Sequence, residues 1–504
     1  MGLKSEGRCS NVSRQQTHNP RTTRHKGATA HQAEDGTKLD MGERIAVIGS
    51  GYVGSVVAAC LAYVGNEVVG VESDPAKLAE LRSGVAPFHE PGLDQLLESG
   101  LSKGNLRFTD EFSAAIDATD IVFVCVGTPP GPDGHPDMSA IRAVALSIAQ
   151  NLHHYHVIVT KSTVPIGTGY WFGSLIEDVV GPGARDLFDM VSNPEFLREG
   201  NAIQDYLHPD RVVLGSDAPK ALEIAAQVYR PILEQQIPGD VGHRDVVPLL
   251  QTGLTTAEMI KYASNAFLAT KISFANEIAR ISDFVGADIT EVTAGMGLDA
   301  RIGGRFLDAG LGWGGSCFGK DLSALVSAAG EYGYRPKLLE AAVSVNDSQR
   351  QLVVEELLRH LRTLRGARVC LLGLAFKPNT DDLRDSPALD IACRLLSKGT
   401  IVSAYDPMVS SVPHVPDIRM MGGSFEAATG ADAIVMATEW PEFLSLDLAE
   451  LRERMRGNLF VDGRNNFDPG KVQQAGFQYL GIGRRSAAAR GRMHTGSDVG
   501  VGAL

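Results

Sequence analysis

The sequence predicts an α/β protein in which a helical central domain joins two doubly wound domains. Short apolar strands alternate with helices between residues 44 and 215, a helical pattern covers residues 255–285, and a second series of strands and helices begins at residue 368. Short apolar strands that alternate with helices are typical of a parallel sheet covered on both faces.

The composition of the chain excludes several classes of protein. A net charge of −13 argues against a nucleic-acid binder, although a local cluster of Lys and Arg still suffices for an anionic small substrate. No apolar run approaches the ~20 residues that cross a bilayer, and no signal peptide is visible, so we expect a cytoplasmic protein. The 6 cysteines show neither CxxC pairs nor even spacing, so we expect no metal site and no disulfide framework.

The chain is expected to divide into five segments. Residues 1–40 and 486–504 carry few large apolar side chains and are expected to be disordered tails, with Met41 as the natural start. The first α/β domain is expected at 41–248, the helical domain at 249–365 and the second α/β domain at 366–485.

The first domain begins with a glycine motif. A strand over 44–49 runs into Gly49-Ser-Gly51-Tyr-Val-Gly54, which matches G-x-G-x-x-G and opens a helix over 52–63. The three glycines permit a tight turn, close approach of a pyrophosphate and close helix–strand packing, as in Rossmann-like domains. Glu72 ends the next strand, where a carboxylate binds ribose hydroxyls and repels a 2′-phosphate, so NAD is favoured over NADP. FAD binding and a glycine turn that serves only packing are the alternatives.

Reactive side chains follow three further strands of this domain, predicted at 120–126, 157–160 and 190–192, before a last one at 212–215. These side chains are Thr128, Thr163 in Lys-Ser-Thr-Val-Pro, and Glu195 and Glu199 in Asn-Pro-Glu-Phe-Leu-Arg-Glu. Ligands lie at the carboxyl ends of the strands in such a sheet. Glu195 and Glu199 would share one face of a helical turn, whereas Thr128 alone is equally consistent with a proline-terminated loop.

The central domain opens with a helix of about 30 residues, or roughly 45 Å. Thr255 and Glu258 form a capping-box start signal. A helix this long bridges domains, packs against a partner, or does both. Lys261 and Asn265, spaced i, i+4, suit a developing oxyanion because one supplies charge and the other a directed N–H; an ordinary exposed lysine is the alternative.

The central domain also contains a cysteine that is surrounded in sequence by glycines and charged residues. Cys317 follows a glycine-rich run and precedes Lys320, Asp321 and a helix over 322–329. A helix N-terminus and a nearby lysine lower the pKa of a thiol. A nucleophilic thiol beside a hydride acceptor suggests oxidation of an aldehyde through a thioester, with Asp321 placed to orient or deprotonate water. A purely structural cysteine is the alternative.

The second α/β domain repeats the strand–helix pattern without the glycine motif. Strands are expected at 369–373, 400–405, 433–437 and 459–461, with a helix over 386–397.

Taken in order, these segments resemble the UDP-glucose/GDP-mannose dehydrogenase family over residues 44–485, most closely its UDP-glucose branch. The resemblance is carried by Gly49–Gly54, Ser162-Thr-Val-Pro165, Asn193-Pro-Glu-Phe-Leu, Lys261-x-x-x-Asn265, Arg301-Ile-Gly-Gly-Arg-Phe-Leu, Gly-Gly-Ser-Cys317-Phe-x-Lys-Asp321, Phe376-Lys377-x-x-Thr-Asp-Asp-x-Arg384, Ala437-Thr-Glu-Trp440 and Asp462-Gly-Arg464. Trp313, Gly319 and Glu72 depart from the residues usual in the family.

The resemblance implies an NAD domain, a helical centre with a dimer-forming helix, and a UDP-binding domain. It also implies a four-electron oxidation of UDP-glucose at C6 to UDP-glucuronate, with two NAD reduced per sugar, by a homodimer or higher homo-oligomer. Oxidation of another nucleotide sugar (a UDP-N-acetylhexosamine or GDP-mannose) is the first alternative. A non-catalytic NAD-binding scaffold is the second, and such a protein would have lost the thiol, Lys261 or Asn265.

By resemblance, each candidate residue has a role. The catalytic set is Cys317 as nucleophile, Lys261 and Asn265 as oxyanion stabilisers, Asp321 beside them, Glu195 as base for thioester hydrolysis and Thr163 to position a water. The implied cofactor contacts are Gly49, Gly51, Tyr52, Val53, Gly54, Glu72, Lys77, Thr128, Thr163, Glu199, Lys320 and Arg384. The implied substrate contacts are Glu195, Phe196, Leu197, Glu199, Lys261, Asn265, Arg301, Gly314, Phe318, Lys377 and Arg464.

Overall fold

The computed structural model describes residues 42–131, 135–240 and 244–484. The two predicted tails and the predicted start at Met41 therefore lie outside the described residues. Among the residues described, no helix is long and apolar enough to cross a membrane.

The first part of the chain builds a sheet of 8 strands in the order β3-β2-β1-β4-β5-β6-β7-β8. Its strands are β1 Arg44–Ile48, β2 Glu67–Val71, β3 Leu106–Thr109, β4 Ile121–Val124, β5 His156–Thr160, β6 Phe188–Ser192, β7 Val212–Gly215 and β8 Leu249–Thr252. Its helices are α1 Tyr52–Tyr63, α2 Pro75–Arg82, α3 Leu93–Lys103, α4 Phe112–Asp117, α5 Ser139–Gln150, α6 Thr168–Val180, α7 Ala202–Leu207 and α8 Pro219–Leu233.

Both faces of this sheet are buried, as the apolar strand sequences predict. In β1, Ile45 and Val47 pack into one core cluster, whereas Ala46 and Ile48 pack into another on the opposite face. A strand that is apolar on both faces needs helices on both sides. The sheet is parallel as predicted except between β6 and β7, which pair antiparallel at Ser192 and Gly215.

The middle of the chain is helical and is dominated by α9, Leu254–Val285. The other helices are α10 Ile289–Gly297, α11 Phe318–Glu331 and α12 Lys337–Leu361, and α9 packs against α11 and α12. The predicted capping box is wrong. Gly253 caps α9 without a side-chain hydrogen bond, and Glu258 instead accepts hydrogen bonds from the backbone N–H groups of Gly167 and Gly169, at 2.5 and 2.8 Å.

The last part of the chain forms a parallel sheet of 6 strands in the order β11-β10-β9-β12-β13-β14. Its strands are β9 Arg368–Leu372, β10 Ile401–Tyr405, β11 Arg419–Met420, β12 Ala433–Met436, β13 Leu459–Asp462 and β14 Gln478–Gly481. Its helices are α13 Pro387–Ser397, α14 Ser424–Ala428, α15 Pro441–Leu444, α16 Leu448–Arg454 and α17 Pro469–Gln474. The α/β class with two parallel-sheet regions around a helical centre is confirmed. The domain boundaries stay a prediction, and the first sheet runs to Thr252, past the boundary expected at residue 248.

Candidate active site

The glycine turn after β1 has the geometry of a dinucleotide cradle. Gly49 has a φ of +92°, which favours glycine, and a Cβ at Gly54 would overlap the carbonyl oxygen of Gly49. Space around Gly51 is open, since a Cβ there would meet nothing within 4 Å. Gly51 also caps α1, whose first turn begins at Tyr52 and Val53 and leaves backbone N–H groups for an anion. These residues fit the diphosphate of NAD.

Polar groups gather beside this cradle at the carboxyl edge of the sheet. The Glu72 carboxylate accepts hydrogen bonds from the N–H groups of Ser50 and Asp74, at 3.2 and 2.9 Å, and is thereby held next to the glycine turn. Lys77 is exposed on the first turn of α2. Thr128 donates through Oγ1 to the carbonyl oxygen of Thr163 at 2.7 Å, which ties together the loops after β4 and β5.

A cavity of about 870 Å³ lies between the three parts of the chain. The predicted residues on its wall are Phe196, Leu197, Glu199, Lys261, Asn265, Gly314, Cys317, Phe318 and Lys377. They come from the first sheet, the helical centre and the loop after β9, so the fold brings together side chains up to 181 positions apart in sequence, from 196 to 377.

Cys317 faces this cavity directly before the first residue of α11, as the sequence predicts for a helix N-terminus. The residue is exposed to the cavity, yet protein surrounds the thiol closely. Burial within these walls and the charge of Glu195 raise the pKa of the thiol, while Lys261 and Ser316 act in the other direction. The predicted lowering of this pKa is therefore wrong. Lys320 does not act on the thiol, because its Nζ pairs with Asp321 at 2.7 Å.

The buried face of α9 presents two hydrogen-bonded pairs. Lys261 donates through Nζ to Oε1 and to the backbone oxygen of Glu195, at 2.6 and 2.7 Å, and both side chains are buried. Burial alone lowers the pKa of Lys261, but the charges of Glu195, Cys317 and Asp321 outweigh it and raise that pKa. Burial likewise raises the pKa of Glu195, and Lys261 overcomes this so that the pKa is lowered.

The second pair on α9 fixes an amide. Asn265 donates through Nδ2 to Oδ2 of Asp321 at 2.6 Å, and Lys320 occupies the other carboxylate oxygen. Asp321 is almost fully buried. Since both of its oxygens accept hydrogen bonds, Asp321 is placed to orient Asn265 and Lys320.

Lys261 is buried, so the alternative of an ordinary exposed lysine at this position is excluded.

Glu199 stands in different surroundings from Glu195. Its Oε1 accepts hydrogen bonds from Ser316 Oγ at 3.3 Å and from Arg384 Nη2 at 3.1 Å. Its Oε2 is buried, and the side chains of Glu199 and Asp382 form a hydrogen bond when one of the two carboxyl groups carries a proton. Burial and the nearby Asp382 carboxylate raise the pKa of Glu199 to about 7, against the opposing charges of Arg384 and Lys377.

Three predicted substrate contacts are not on the cavity wall. Glu195 is buried behind it and pairs with Lys261. Arg301 is exposed and pairs with Asp299 at 2.6 Å, and Arg305 from the same segment lines the cavity instead. Arg464 donates to the backbone oxygens of Ala437 and Phe376, at 2.8 and 3.2 Å, and pairs with Glu439 at 3.2 Å.

Lys161 and Arg211 are among the cavity residues that were not predicted as site residues. Lys161 is buried and donates to Asn193 Oδ1 at 3.0 Å and to the hydroxyl of Tyr229 at 3.3 Å. The guanidinium of Arg211 stacks on the Phe196 ring at 3.7 Å. Lys161 belongs to the Lys-Ser-Thr-Val-Pro motif, in which Thr163 alone was predicted as a site residue. Arg211 directly precedes β7, whereas ligand contacts were expected at the carboxyl ends of strands.

Comparison with known proteins finds family models that match most of residues 43–469. Three models of the UDP-glucose/GDP-mannose dehydrogenase family match: the NAD binding domain at residues 43–233, the central domain at 255–348 and the UDP binding domain at 370–469. UDP-glucose 6-dehydrogenase TuaD of Bacillus subtilis is 43% identical over 450 residues, covering 88% of this chain and 93% of the relative. UDP-glucose 6-dehydrogenase of Rhizobium meliloti is 44% identical over 447 residues, covering 88% and 99%.

Two solved structures have a fold similar to that of this chain. A UDP-glucose dehydrogenase from Pyrobaculum islandicum has a TM-score of 0.80 at 35% identity, with 89% of this chain and 99% of that chain covered. A UDP-D-ManNAc dehydrogenase from Pyrococcus horikoshii has a TM-score of 0.77 at 29% identity, with 88% and 99% covered.

Proposed function

The chain belongs to the UDP-glucose/GDP-mannose dehydrogenase family, and on that premise we propose that it oxidises UDP-glucose at C6 to UDP-glucuronate. It is an NAD-dependent oxidoreductase whose substrate is a nucleotide sugar. The observation that carries the finer proposal is the cavity-facing thiol of Cys317 beside Lys261 and Asn265. The relatives named UDP-glucose 6-dehydrogenase, at 43% and 44% identity, favour this sugar over the UDP-D-ManNAc of the 29% identical structure.

The cofactor is assigned to the glycine cradle and the residues around it. The N-terminus of α1 would hold the diphosphate, and Glu72 a ribose. The end of the cofactor that reacts would lie near five further residues: Thr128, Thr163, Glu199, Lys320 and Arg384. When bound, NAD accepts a hydride at each of the two oxidation stages.

Lys261 and Asn265 are assigned to stabilise negative charge on the substrate oxygen. The ammonium of Lys261 is anchored by Glu195 and the amide of Asn265 by Asp321, so both donors are oriented before a substrate arrives. Donors fixed in advance in a low-dielectric site stabilise an oxyanion without a reorganisation cost.

Cys317 is assigned to the aldehyde stage. Its sulfur forms a bond to the aldehyde carbon as the S–H bond breaks, and the thiol proton passes to the aldehyde oxygen, which gives a thiohemiacetal. Loss of a hydride and of the hydroxyl proton leaves a thioester. Addition of water then breaks the carbon–sulfur bond and releases the carboxylic acid and the free thiol.

Water addition requires a base, and the surroundings of the two carboxylates favour Glu199 over the predicted Glu195. A general base works best with a pKa near the operating pH. The pKa of Glu199 is about 7, whereas that of Glu195 is lowered by its pairing with Lys261. Glu199 also lines the cavity beside the segment of Cys317, where Ser316 donates to its Oε1 at 3.3 Å.

A homodimer through α9 is part of the proposal. The exposed face of α9 carries Phe267, Phe274 and Ile281 at intervals of seven residues, with 66%, 45% and 50% of their surface exposed. Phe284 and Val285 extend the same apolar stripe. A long apolar stripe on a helix surface marks a place where another helix packs.

NADH stoichiometry tests the proposed function. With limiting UDP-glucose, the wild type should form two NADH per sugar. Cys317→Ala keeps Lys261 and Asn265 but loses the sulfur, so we expect its steady-state rate to fall by about 1000-fold or more.

UDP-N-acetylglucosamine and GDP-mannose serve as the competing substrates in the same assay. Turnover of either one in the absence of turnover with UDP-glucose would reject the proposed sugar. Formation of two NADH per sugar by Cys317→Ala at the wild-type rate would reject covalent catalysis.

A further inference from the structure

The loop that follows β9 packs against the backbone of the Glu199 segment. Gly200 has a φ of +77°, and a Cβ at this position would overlap the carbonyl oxygen of Asn379. Only glycine therefore permits this close approach. The loop of the last α/β region and the turn after Glu199 meet without an intervening side chain.

The same loop also packs against the segment that leads to Cys317. Gly315 donates its backbone N–H to the carbonyl oxygen of Arg384 at 3.1 Å. A Cβ at Gly314 would overlap the carbonyl oxygen of Asp385. The loop is thus held by backbone contacts to the segments of both Glu199 and Cys317.

One guanidinium of this loop is shared by two carboxylates. Arg384 donates through Nη2 to Glu199 Oε1 at 3.1 Å and to Asp382 Oδ2 at 2.8 Å, and through Nε to Asp382 Oδ1 at 2.9 Å. The side chains of Glu199 and Asp382 are only 12% and 10% exposed. Two largely buried carboxylates beside a single arginine interact strongly with each other, because the charge of one disfavours that of the other.

We propose that Asp382 is a positioning residue for Glu199: Asp382 holds Arg384 in place against Glu199, and its negative charge makes the Glu199 carboxylate a better proton acceptor. The proposal rests on the proposed function, in which Glu199 is the base for thioester hydrolysis. No role is assigned to Asp382 by the predicted site or by the comparisons.

The pKa values of the two carboxyl groups are shifted in opposite directions. Burial raises the pKa of Asp382, but its bonds to Arg384 outweigh this and lower it, so Asp382 stays charged. The pKa of Glu199 is raised by burial and then by Asp382. Two neighbouring carboxylates whose pKa values are pushed apart mark an acid–base assignment.

The other groups around Glu199 come from several elements. Ser316 donates to it from the segment before α11, and Lys377 and Arg384 oppose the raised pKa from the loop after β9. The hydroxyl of Tyr52 on α1 feels the charge of Glu199, and Tyr52 keeps its proton near neutral pH because its own pKa is raised by burial and by Glu90. Asp382 is the carboxylate in this set that shares Arg384 with Glu199 and raises the pKa of Glu199.

Asp382→Asn and Asp381→Asn form a matched pair for the test. Both variants remove one negative charge from the same loop, but Asp381 is exposed, whereas Asp382 is largely buried against Arg384. The pH dependence of kcat is measured with the full-length protein, NAD and UDP-glucose. In Asp382→Asn we expect the acid limb to move to lower pH by about one unit, because the Glu199 carboxylate loses its like-charged neighbour.

Asp381→Asn should keep the wild-type limb, and the KM for UDP-glucose should change less than about threefold in both variants. An unmoved limb in Asp382→Asn overturns the proposal, whatever happens to kcat. The same displacement in Asp381→Asn overturns it as well, because the effect would then be one of overall charge.

Asp382→Glu separates charge from packing. This variant keeps the carboxylate, so the acid limb should stay within about 0.3 unit of the wild type, even if kcat falls. A limb in Asp382→Glu that moves as far as in Asp382→Asn overturns the proposal, including in the case that Asp382→Asn does not fold. A wild type that turns over no nucleotide sugar rejects the proposed function, whereas an active wild type with an unmoved Asp382→Asn limb rejects only the role of Asp382.

Discussion

Glu195 and Glu199 lie four positions apart, yet their surroundings drive their charges in opposite directions. Glu195 is buried against the ammonium of Lys261, which lowers its pKa, whereas Glu199 shares Arg384 with a second carboxylate and has a pKa of about 7. At neutral pH the first is a fixed negative charge and the second is partly protonated. Glu195 therefore stabilises the ammonium of Lys261, whereas Glu199 is suited to exchange protons.

The buried Lys261–Glu195 pair predicts a pH-dependent loss of stability. Lys261→Met should lower the free energy of unfolding by about 3 kcal/mol at about pH 8, because it leaves the Glu195 carboxylate buried without its partner. The loss should shrink towards about pH 5. Without Lys261, burial raises the pKa of Glu195, so the carboxyl can take up a proton as the pH falls. Urea denaturation at the two pH values measures the difference.

The double variant Lys261→Met/Glu195→Gln is the control for that prediction. It removes the uncompensated charge and should recover most of the lost stability at the higher pH. Equal loss in the single and double variants would show that packing, and not charge, is responsible.

The positions of the reactive residues were easier to predict from the sequence than their pKa values. The i, i+4 spacing correctly put Lys261 and Asn265 on one buried face of α9. The expected low pKa of Cys317 was wrong because burial raises the pKa of the thiol, and so does the carboxylate of Glu195 from another part of the chain. Lys320 is close in sequence but pairs with Asp321. Helix periodicity fixes a direction, while a pKa depends on neighbours that only the fold brings together.

At the scale of elements, α9 carries Lys261 and Asn265 on its buried face and an apolar stripe on its exposed face. Phe267, Phe274 and Ile281 form the stripe, and Phe267 at its start also lines the cavity. The proposed partner helix would therefore pack on the same element that holds both oxyanion donors.

Phe274→Glu should dissociate the proposed homodimer. A charge in the middle of the stripe would be buried without a partner in the interface, which costs several kcal/mol and should raise the dissociation constant at least 100-fold. Light scattering coupled to size exclusion measures the molecular mass. Leu444→Glu, a matched change at an exposed leucine of α15, should leave the mass of the wild type unchanged. A monomeric wild type, or a Phe274→Glu variant that stays dimeric, would contradict the prediction.

The strands missing from the sequence prediction are the edge strands of the two sheets, β3, β8, β11 and β14. Most residues of β8, β11 and β14 are partly or fully exposed, so these strands lack the continuous apolar run of the inner strands. The antiparallel pairing between β6 and β7 forms across the sheet, and no local pattern encodes it. The inner strands were predictable because they are largely apolar, and α9 because its periodicity extends over many residues.

For the whole molecule, the cavity is the feature that no single domain contains. Glu199 comes from the first sheet region, Lys261 and Cys317 from the helical centre, and Lys377 from the loop after β9. The order of motifs along the chain sufficed to predict this assembly through the family resemblance. It did not show that Arg301 lies exposed beside Asp299, since a motif does not reveal which way an exposed arginine turns.

Cofactor preference is a property of the whole folded chain and can be measured through stability. NAD at about 100 times its Kd should stabilise the native state by about 2.7 kcal/mol and raise the apparent Tm. NADP at the same concentration should raise it much less, because Glu72 would face the 2′-phosphate. Thermal shift measurements with both nucleotides test this. Glu72→Ala should narrow the difference, and equal shifts in the wild type would show that Glu72 does not select the cofactor.

The seam where Gly200 meets Asn379 has a consequence for exchanging parts between relatives. A chimera that takes its first domain from one enzyme and its last from another inherits two loops that must touch along bare backbone, and a side chain in place of Gly200 would wedge them apart. Arg384 would likewise need its own Glu199 and Asp382 to close the contact. The residues around 200 and those from 376 to 385 therefore behave as one inherited unit, although nearly 180 positions of chain separate them.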